Sequence, residues 1–481
     1  MVSGSFKNKN LLGTVLFLIA YVYFFSLKCH IFNKEKLQKE EKKEMNYKEA
    51  PYSKFHKLLF LCAVLGQIAC GFALGIAGTA VTQAQDKLGL STFWVGLLGA
   101  GTLIGLAGSL VVGNLADKIG RSKLLLLDMA LFTVFSIAQF FTSSVGILMA
   151  LRILIGLCIA VDYTVGSTII SEWFDPETAP SYLSKFIIYW TFGYVASFFA
   201  GLVMGNMHTD YHIIFASSAI PGVIAAAARI ICGMAESPSW MASVGRVEEA
   251  NKLVEAKLGT GYQVVLEEKK EEEKVSVAEL FSPKYRRNTL VGGMFYACQV
   301  FPYFGVGIFL PILIGQLNMG DANTSNIIYD VFCMAGAFVG TWLCAKMSRR
   351  SFLTSTFFGA AIALVVMIIG QNISIIITII AFAAYALIMS IAVVMEWPYP
   401  PELFDDRVRG TGVGIVVAFS RIGAALGTFL LPILMESIGG TGTLIVCAAI
   451  LVLGGVVCQL FAPETSAKHL KEANNTKVVA N

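Results

Sequence analysis

The sequence predicts an all-α membrane protein of twelve transmembrane helices in two six-helix halves. Three observations predict it: an apolar, charge-poor composition, twelve apolar runs long enough to cross a bilayer, and a one-sided distribution of basic residues across the connecting loops. The chain has 481 residues, 56% hydrophobic and only 14% charged, with 34 Phe and 45 Gly. A soluble domain needs more charge to cover its surface, so lipid is the main solvent. The net charge of +4 is small, and the basic residues sit in short clusters between apolar runs, which argues against a nucleic-acid partner. Ten Cys are scattered singly, without C-x-x-C or Cys/His ligand spacing, and read as small buried apolar residues. No metal, no cofactor and no disulfide framework is expected.

A helix needs about 20 apolar residues to cross the hydrocarbon. The predicted spans are 58–81, 94–114, 124–142, 146–171, 184–206, 212–234, 289–316, 326–346, 352–370, 373–396, 411–436 and 441–462. The polar segment 235–287, with its charged run Glu267 to Lys274, divides them six and six. Its length suggests two bundles that move against each other. The expected domains are an N-terminal extension (1–53), a first bundle (54–234), the central linker (235–287), a second bundle (288–465) and a tail (466–481).

Charge predicts the direction. Lys118, Arg121 and Lys123 follow the second span, Arg246, Lys252, Lys284, Arg286 and Arg287 lie in the linker, Lys346, Arg349 and Arg350 follow the eighth, and Arg407 and Arg409 the tenth. The opposite loops hold almost no Lys or Arg. The positive-inside rule makes the basic side and the C-terminal tail cytoplasmic. Upstream, Leu11–Phe25 is apolar and precedes a Lys/Glu-rich stretch, 34–49. Two readings stay open: a thirteenth helix, or a true start at Met45. A cleaved signal peptide would invert all twelve spans against the charge evidence.

The loop after the second span reads Gly113-Asn114-Leu115-Ala116-Asp117-Lys118-Ile119-Gly120-Arg121. Gly113 permits close helix approach and Gly120 a tight turn. This loop resembles the G-x-L-x-D-x-x-G-R signature of the major facilitator superfamily. The resemblance implies that Asp117 and Arg121 pair with a neighbouring helix end and latch the cytoplasmic side. The equivalent loop of the second half, Gly340 to Arg350, has Cys344 where the Asp would be, so a weaker second latch is expected.

Further stretches resemble the sugar porters and their relatives. Glu236-Ser237-Pro238-Ser239-Trp240, then Gly245-Arg246-Val247-Glu248-Glu249-Ala250, resembles P-E-S-P-R-W…G-R-x-x-E-A, with Ala235 and Ser239 as departures. Pro401-Glu402-Leu403-Phe404…Arg407-Val408-Arg409-Gly410-Thr411-Gly412 resembles the segment after the tenth span, and Pro463-Glu464-Thr465 the motif closing the twelfth. Arg152 and Glu172 keep the family's distance along the fourth span. The resemblance covers about residues 55–470 and implies a major facilitator fold. It also implies a cytoplasmic gate of Gly113, Asp117, Gly120, Arg121, Arg152, Glu172, Glu402, Arg407 and Arg409, with salt bridges between the halves.

Charges inside a span are expensive, so each needs a partner or a purpose. Asp162 lies ten residues from both Arg152 and Glu172, about 15 Å of helix from each. The segment Asp162-Tyr163…Ser171-Glu172 resembles that of proton-coupled phosphate symporters and bacterial metabolite transporters. Asp162 is the candidate proton carrier, or else a structural carboxylate held by Arg152 or a hydroxyl. Arg421 also falls near mid-membrane, as anchor of an anionic substrate or as counter-charge to Asp162 or Glu396. Gln299 and Tyr303, one turn apart on the seventh span, and Tyr163 are candidate substrate contacts. Pro302 between them predicts a kink. Tyr189, Trp190, Tyr194 and Trp397 either line a cavity or pack.

The expected function is alternating-access transport of a small polar metabolite, an organic or aromatic acid or a sugar, coupled to protons. A uniporter and a non-transporting nutrient receptor are the alternatives. An enzyme is not expected: no Ser/His/Asp arrangement, phosphate loop or paired catalytic carboxylates stands in a soluble segment. The partners are a small-molecule substrate, protons and the lipid bilayer. The expected state is a monomer in a bacterial inner (plasma) membrane.

Overall fold

The structure is a computed structural model that describes residues 45–265, 276–317, 322–405 and 408–466. The apolar run Leu11–Phe25, the charged run 267–274, Arg407 and the tail beyond 466 lie outside the described residues.

The apolar runs fold as helices because a backbone in lipid must satisfy its own hydrogen bonds. The first span is Lys54–Leu88, the third Arg121–Phe141, the fourth Val145–Trp173, the fifth Ala179–Asn206 and the sixth Tyr211–Cys232. The seventh is Arg286–Ile308, continued by Leu310–Gln316, the eighth Thr324–Lys346, the ninth Arg349–Gly370 and the tenth Ile375–Glu396. Two spans depart from the expected shape. The second is broken into Thr92–Leu106 and Ser109–Ile119, bent by 42° at Gly108-Ser109, a pair typical of helix kinks. The eleventh and twelfth run without a loop as Arg409–Phe461, separated only where Gly439 takes φ 71°. With those two resolved, the twelve predicted spans are present among the described residues.

The first span, 35 residues or about 50 Å, exceeds the hydrocarbon thickness, and its N-terminal end lies at the face that carries the basic loops. There Met45–Asn46 pairs in parallel with Tyr262–Gln263, and the Tyr47 hydroxyl donates to the Glu172 carbonyl at 2.7 Å. The first span packs along the fifth, the seventh along the eleventh, and the fourth against the second and third. The linker is partly helical, at Pro238–Ser243 and Val247–Leu258.

The two halves meet by close backbone approach at the face opposite the basic loops. A Cβ on Gly78 would fall 2.7 Å from the Ile308 carbonyl carbon, and one on Gly96 would fall 3.1 Å from that of Phe429. Beside them Thr92 Oγ1 donates to Glu436 Oε2 at 2.5 Å.

Candidate functional site

Three sets of residues matter: the polar groups on the seam between the halves, a charge cluster inside the first half, and the latches at the basic face.

On the seam, the fourth and fifth spans present Tyr163, Trp190 and Tyr194, and the seventh, tenth and eleventh present Gln299, Tyr303, Glu396, Trp397 and Arg421. Trp190 Nε1 donates to the Tyr163 hydroxyl. The Arg421 guanidinium lies over the Tyr163 ring, 5.7 Å from its centroid, and Tyr163 faces Trp397 at 6.4 Å. Trp190 stacks on Tyr194 at 5.0 Å, and Tyr194 stacks across the seam on Tyr303 at 5.9 Å. Gln299 Nε2 donates to Glu396 Oε1 at 3.3 Å. Pro302 stays inside a continuous helix, and its carbonyl accepts from the Tyr385 hydroxyl at 3.2 Å. Gln299 Oε1, Tyr303 Oη, Tyr194 Oη and Arg421 Nε are buried without a hydrogen-bond partner in the protein. Polar groups are normally not left so, because each costs about 1–3 kcal/mol. Gln299, Tyr303, Tyr163 and Arg421 are thus brought together.

Asp162 is not with them. It is fully buried inside the first half, bonded to Arg229 of the sixth span, with Gln67 Nε2 at 3.1 Å and Cys70 Sγ at 3.6 Å. The fourth span turns Asp162 toward the first and sixth spans, while its neighbour Tyr163 reaches the seam. The same Arg229 binds Asp128 of the third span at 2.7 Å and donates to the Leu125 carbonyl at 2.5 Å. Arg152 is corrected twice. It does not hold Asp162, and it is no part of a gate at the basic face. It lies toward the opposite face, with Nε donating to the Leu98 carbonyl at 2.6 Å and the guanidinium 5.4 Å from the Phe215 ring. Twenty residues of helix, about 30 Å, separate it from Glu172.

At the basic face the latches are duplicated. Arg121 Nη2 meets Asp117 at 2.9 Å and Glu172 at 3.3 Å, and its Nη1 donates to the Ala116 carbonyl. Arg349, 228 residues on, binds Glu402 with two bonds of 2.8 and 3.0 Å and donates to the Cys344 carbonyl at 2.8 Å. Glu236 Oε1 accepts from the Arg121 main-chain N at 2.8 Å, and Glu464 does the same for Arg349 at 3.1 Å. Each carboxylate caps a helix N-terminus, where anions are stabilised. The expected weaker second latch is corrected, because Arg349 uses the main chain of residue 344 and a bidentate carboxylate. Each of the two latches joins residues of its own half, Arg121 with Asp117 and Glu172, and Arg349 with Glu402. Gly120 takes φ 103° with Glu236 and Trp240 against it, but open space surrounds Gly113, so close helix approach does not explain it. Arg409 Nε donates to the Pro401 carbonyl at 3.2 Å.

Sequence reasoning missed Asp128, Arg229 and Asp330. Asp330, on the eighth span, is buried with Oδ1 unpartnered. Each is a charge inside an apolar run, the same signal that singled out Asp162.

A family described as "Sugar (and other) transporter" matches residues 11–476. The inner membrane metabolite transport protein YgcS of Escherichia coli (strain K12) is 33% identical over 433 residues, covering 89% of this chain and 96% of that one. The arabinose-proton symporter of Bacillus subtilis (strain 168) is 27% identical over 458 residues, covering 88% and 96%. The xylose transporter XylE from E. coli, in a partially occluded inward open conformation, superposes with a TM-score of 0.71 at 17% identity, covering 86% of this chain and 99% of that one. The chain therefore belongs to the sugar (and other) transporter family, on the major facilitator fold: a multi-pass membrane protein and a secondary transporter, not an enzyme.

Proposed function

We propose that the protein is a proton-coupled symporter of a small polar metabolite, working by alternating access, with its basic face in the cytoplasm. The observation that carries this reading is the set of buried, unpartnered polar groups contributed by both halves at the seam, Tyr194 Oη, Tyr303 Oη, Gln299 Oε1 and Arg421 Nε. A solute with hydroxyl or carboxylate groups satisfies them, and aromatic rings flank it. Gln299 and Glu396, joined at 3.3 Å, add an amide and a carboxyl to the same site, which suits a sugar such as those transported by the xylose and arabinose relatives. An organic or aromatic acid requires Arg421 to turn from Tyr163 toward the solute. The halves touching at the face opposite the basic loops support an inward-facing state.

The test is uptake by proteoliposomes carrying a pH-sensitive dye, with D-xylose, L-arabinose, nicotinate or citrate added outside. Solute-dependent acidification of the lumen is expected. Solute entry without proton movement sinks symport and leaves the uniporter. Arg421→Ala abolishes uptake of an acid and weakens uptake of a sugar by a smaller factor.

One observation favours a second seat for the coupling proton. Asp162 lies inside one half, whereas Asp330 is a buried carboxyl whose Oδ1 has no partner among the described residues, on the eighth span, which packs against the fifth span across the seam. Asp330→Asn that transports solute without protons, beside coupled Asp162→Asn, selects this reading.

A further inference from the structure

The cluster inside the first half is charge-imbalanced. Arg229 lies between two carboxylates, Nη1 on Asp128 Oδ1 at 2.7 Å and Nη2 on Asp162 Oδ1. Asp128 is 3% exposed, and Asp162 and Arg229 are fully buried. As ions, the three sum to one negative charge. Among the described residues, the other titratable or polar groups facing them add no charge: Gln67, Cys70 and Cys62 from the first span, Cys158 and Tyr163 from the fourth and Cys232 from the sixth supply an amide, a phenol and thiols. An uncompensated charge out of water is costly enough that such a site binds a proton instead.

The hydrogen bonds say where. Asp162 is served as an anion on both oxygens: Oδ1 by Arg229, Oδ2 by Gln67 Nε2 and Cys70 Sγ. Asp128 is served on one. Its Oδ1 takes Arg229 and the Met129 main-chain N, while Oδ2 is buried with no partner. A bare carboxylate oxygen is the costlier of the two states there, because a neutral acid leaves only an unsatisfied hydroxyl.

We infer that the cluster's shared proton resides on Asp128 Oδ2, which makes Asp128 its acid and Asp162 its permanent anion. The inference deepens the proton-coupling reading and rests on it only for the claim that this proton is the one transported. Proton exchange then needs no break in the Arg229–Asp162 bond: water reaching Asp128 along the third span takes the proton from Oδ2, and Arg229 shifts toward the new anion. The rival seat is Asp162 Oδ2, donating to Gln67 Oε1 once that amide is turned over.

The test is infrared spectroscopy of the purified full chain between about pH 5 and about pH 8, with thermal unfolding alongside. Asp128→Asn imitates the protonated acid. It is expected to remove a protonated-carboxyl band seen in the wild type and to keep the wild-type Tm at neutral pH. Asp162→Asn also removes the band, since one carboxylate then pairs with one guanidinium, but it lowers Tm. Wild-type Tm is expected to vary with pH as Asp128 gains and loses this proton. The slope is reduced in Asp128→Asn. If Asp128→Asn does not fold, Asp128→Glu is expected to move the band. An unmoved band, a band untouched by Asp128→Asn, or a Tm kept by Asp162→Asn and lost by Asp128→Asn overturns the assignment. Full solute-driven proton uptake by Asp128→Asn vesicles, with the band removed, ends transport through this proton and leaves its location standing.

Discussion

Replacing Arg229 by Gln strands the Asp162 anion and takes a donor from Asp128. Removing one partner of a buried ionic set costs about 3–5 kcal/mol, so a large fall in Tm is expected, partly regained when Asp162→Asn is added. Asp210, on the loop before the sixth span, shows the contrast. Hydrogen bonds from Lys87 at 2.5 Å and from the His212 main chain hold its carboxyl well below the usual range. A lowered carboxyl stabilises the fold above the ordinary carboxylate pKa and loses that contribution as pH falls. Because the pair is 39–51% exposed, Asp210→Asn is expected to cost at most about 1 kcal/mol at neutral pH. The difference from wild type shrinks below about pH 4 in thermal melts. The depth of Asp162 was legible, since helical rise converts residue spacing into distance. Its partners were not: Asp128 and Arg229 lie on other spans, and only packing decides which intramembrane charges meet.

At the scale of elements, the latches repeat. Glu236 and Glu464 cap the third and ninth spans from equivalent positions, and Arg121 and Arg349 reach back to the carbonyls of residues 116 and 344. Arg349→Gln is expected to lower Tm further than Arg121→Gln, because a bidentate carboxylate bond is lost rather than one nitrogen's contacts with an exposed Asp117 at 2.9 Å and with Glu172 at 3.3 Å. Side-chain letters misled here. Cys344 in place of Asp suggested a failing motif, yet the arginine binds a main-chain oxygen that no substitution removes. The bent second span and the merged eleventh and twelfth were illegible for a related reason. Hydropathy reports how much apolar chain there is, while Gly108-Ser109 and Gly439 decide where it turns.

For the whole molecule, twelve spans and a six-and-six division were legible because bilayer thickness fixes helix length and loop charge marks sides. Which face the halves close was not, since one sequence must serve both states. Thr92 and Glu436 lie across the closed face. The double variant Thr92→Cys, Glu436→Cys is expected to cross-link under oxidation and to stop transport until reduced. Cross-linked protein that still transports would mean the halves do not part there. The lone hydroxyls of Tyr194 and Tyr303 carry one last consequence. A chamber closing over them with nothing inside dries groups that have nowhere to turn, whereas a fitting solute relieves them as the walls come together. On the proposed alternating access, cargo is then expected to speed the rocking that carries it and an empty carrier to return slowly, so exchange of labelled for unlabelled solute is expected to outpace net flow.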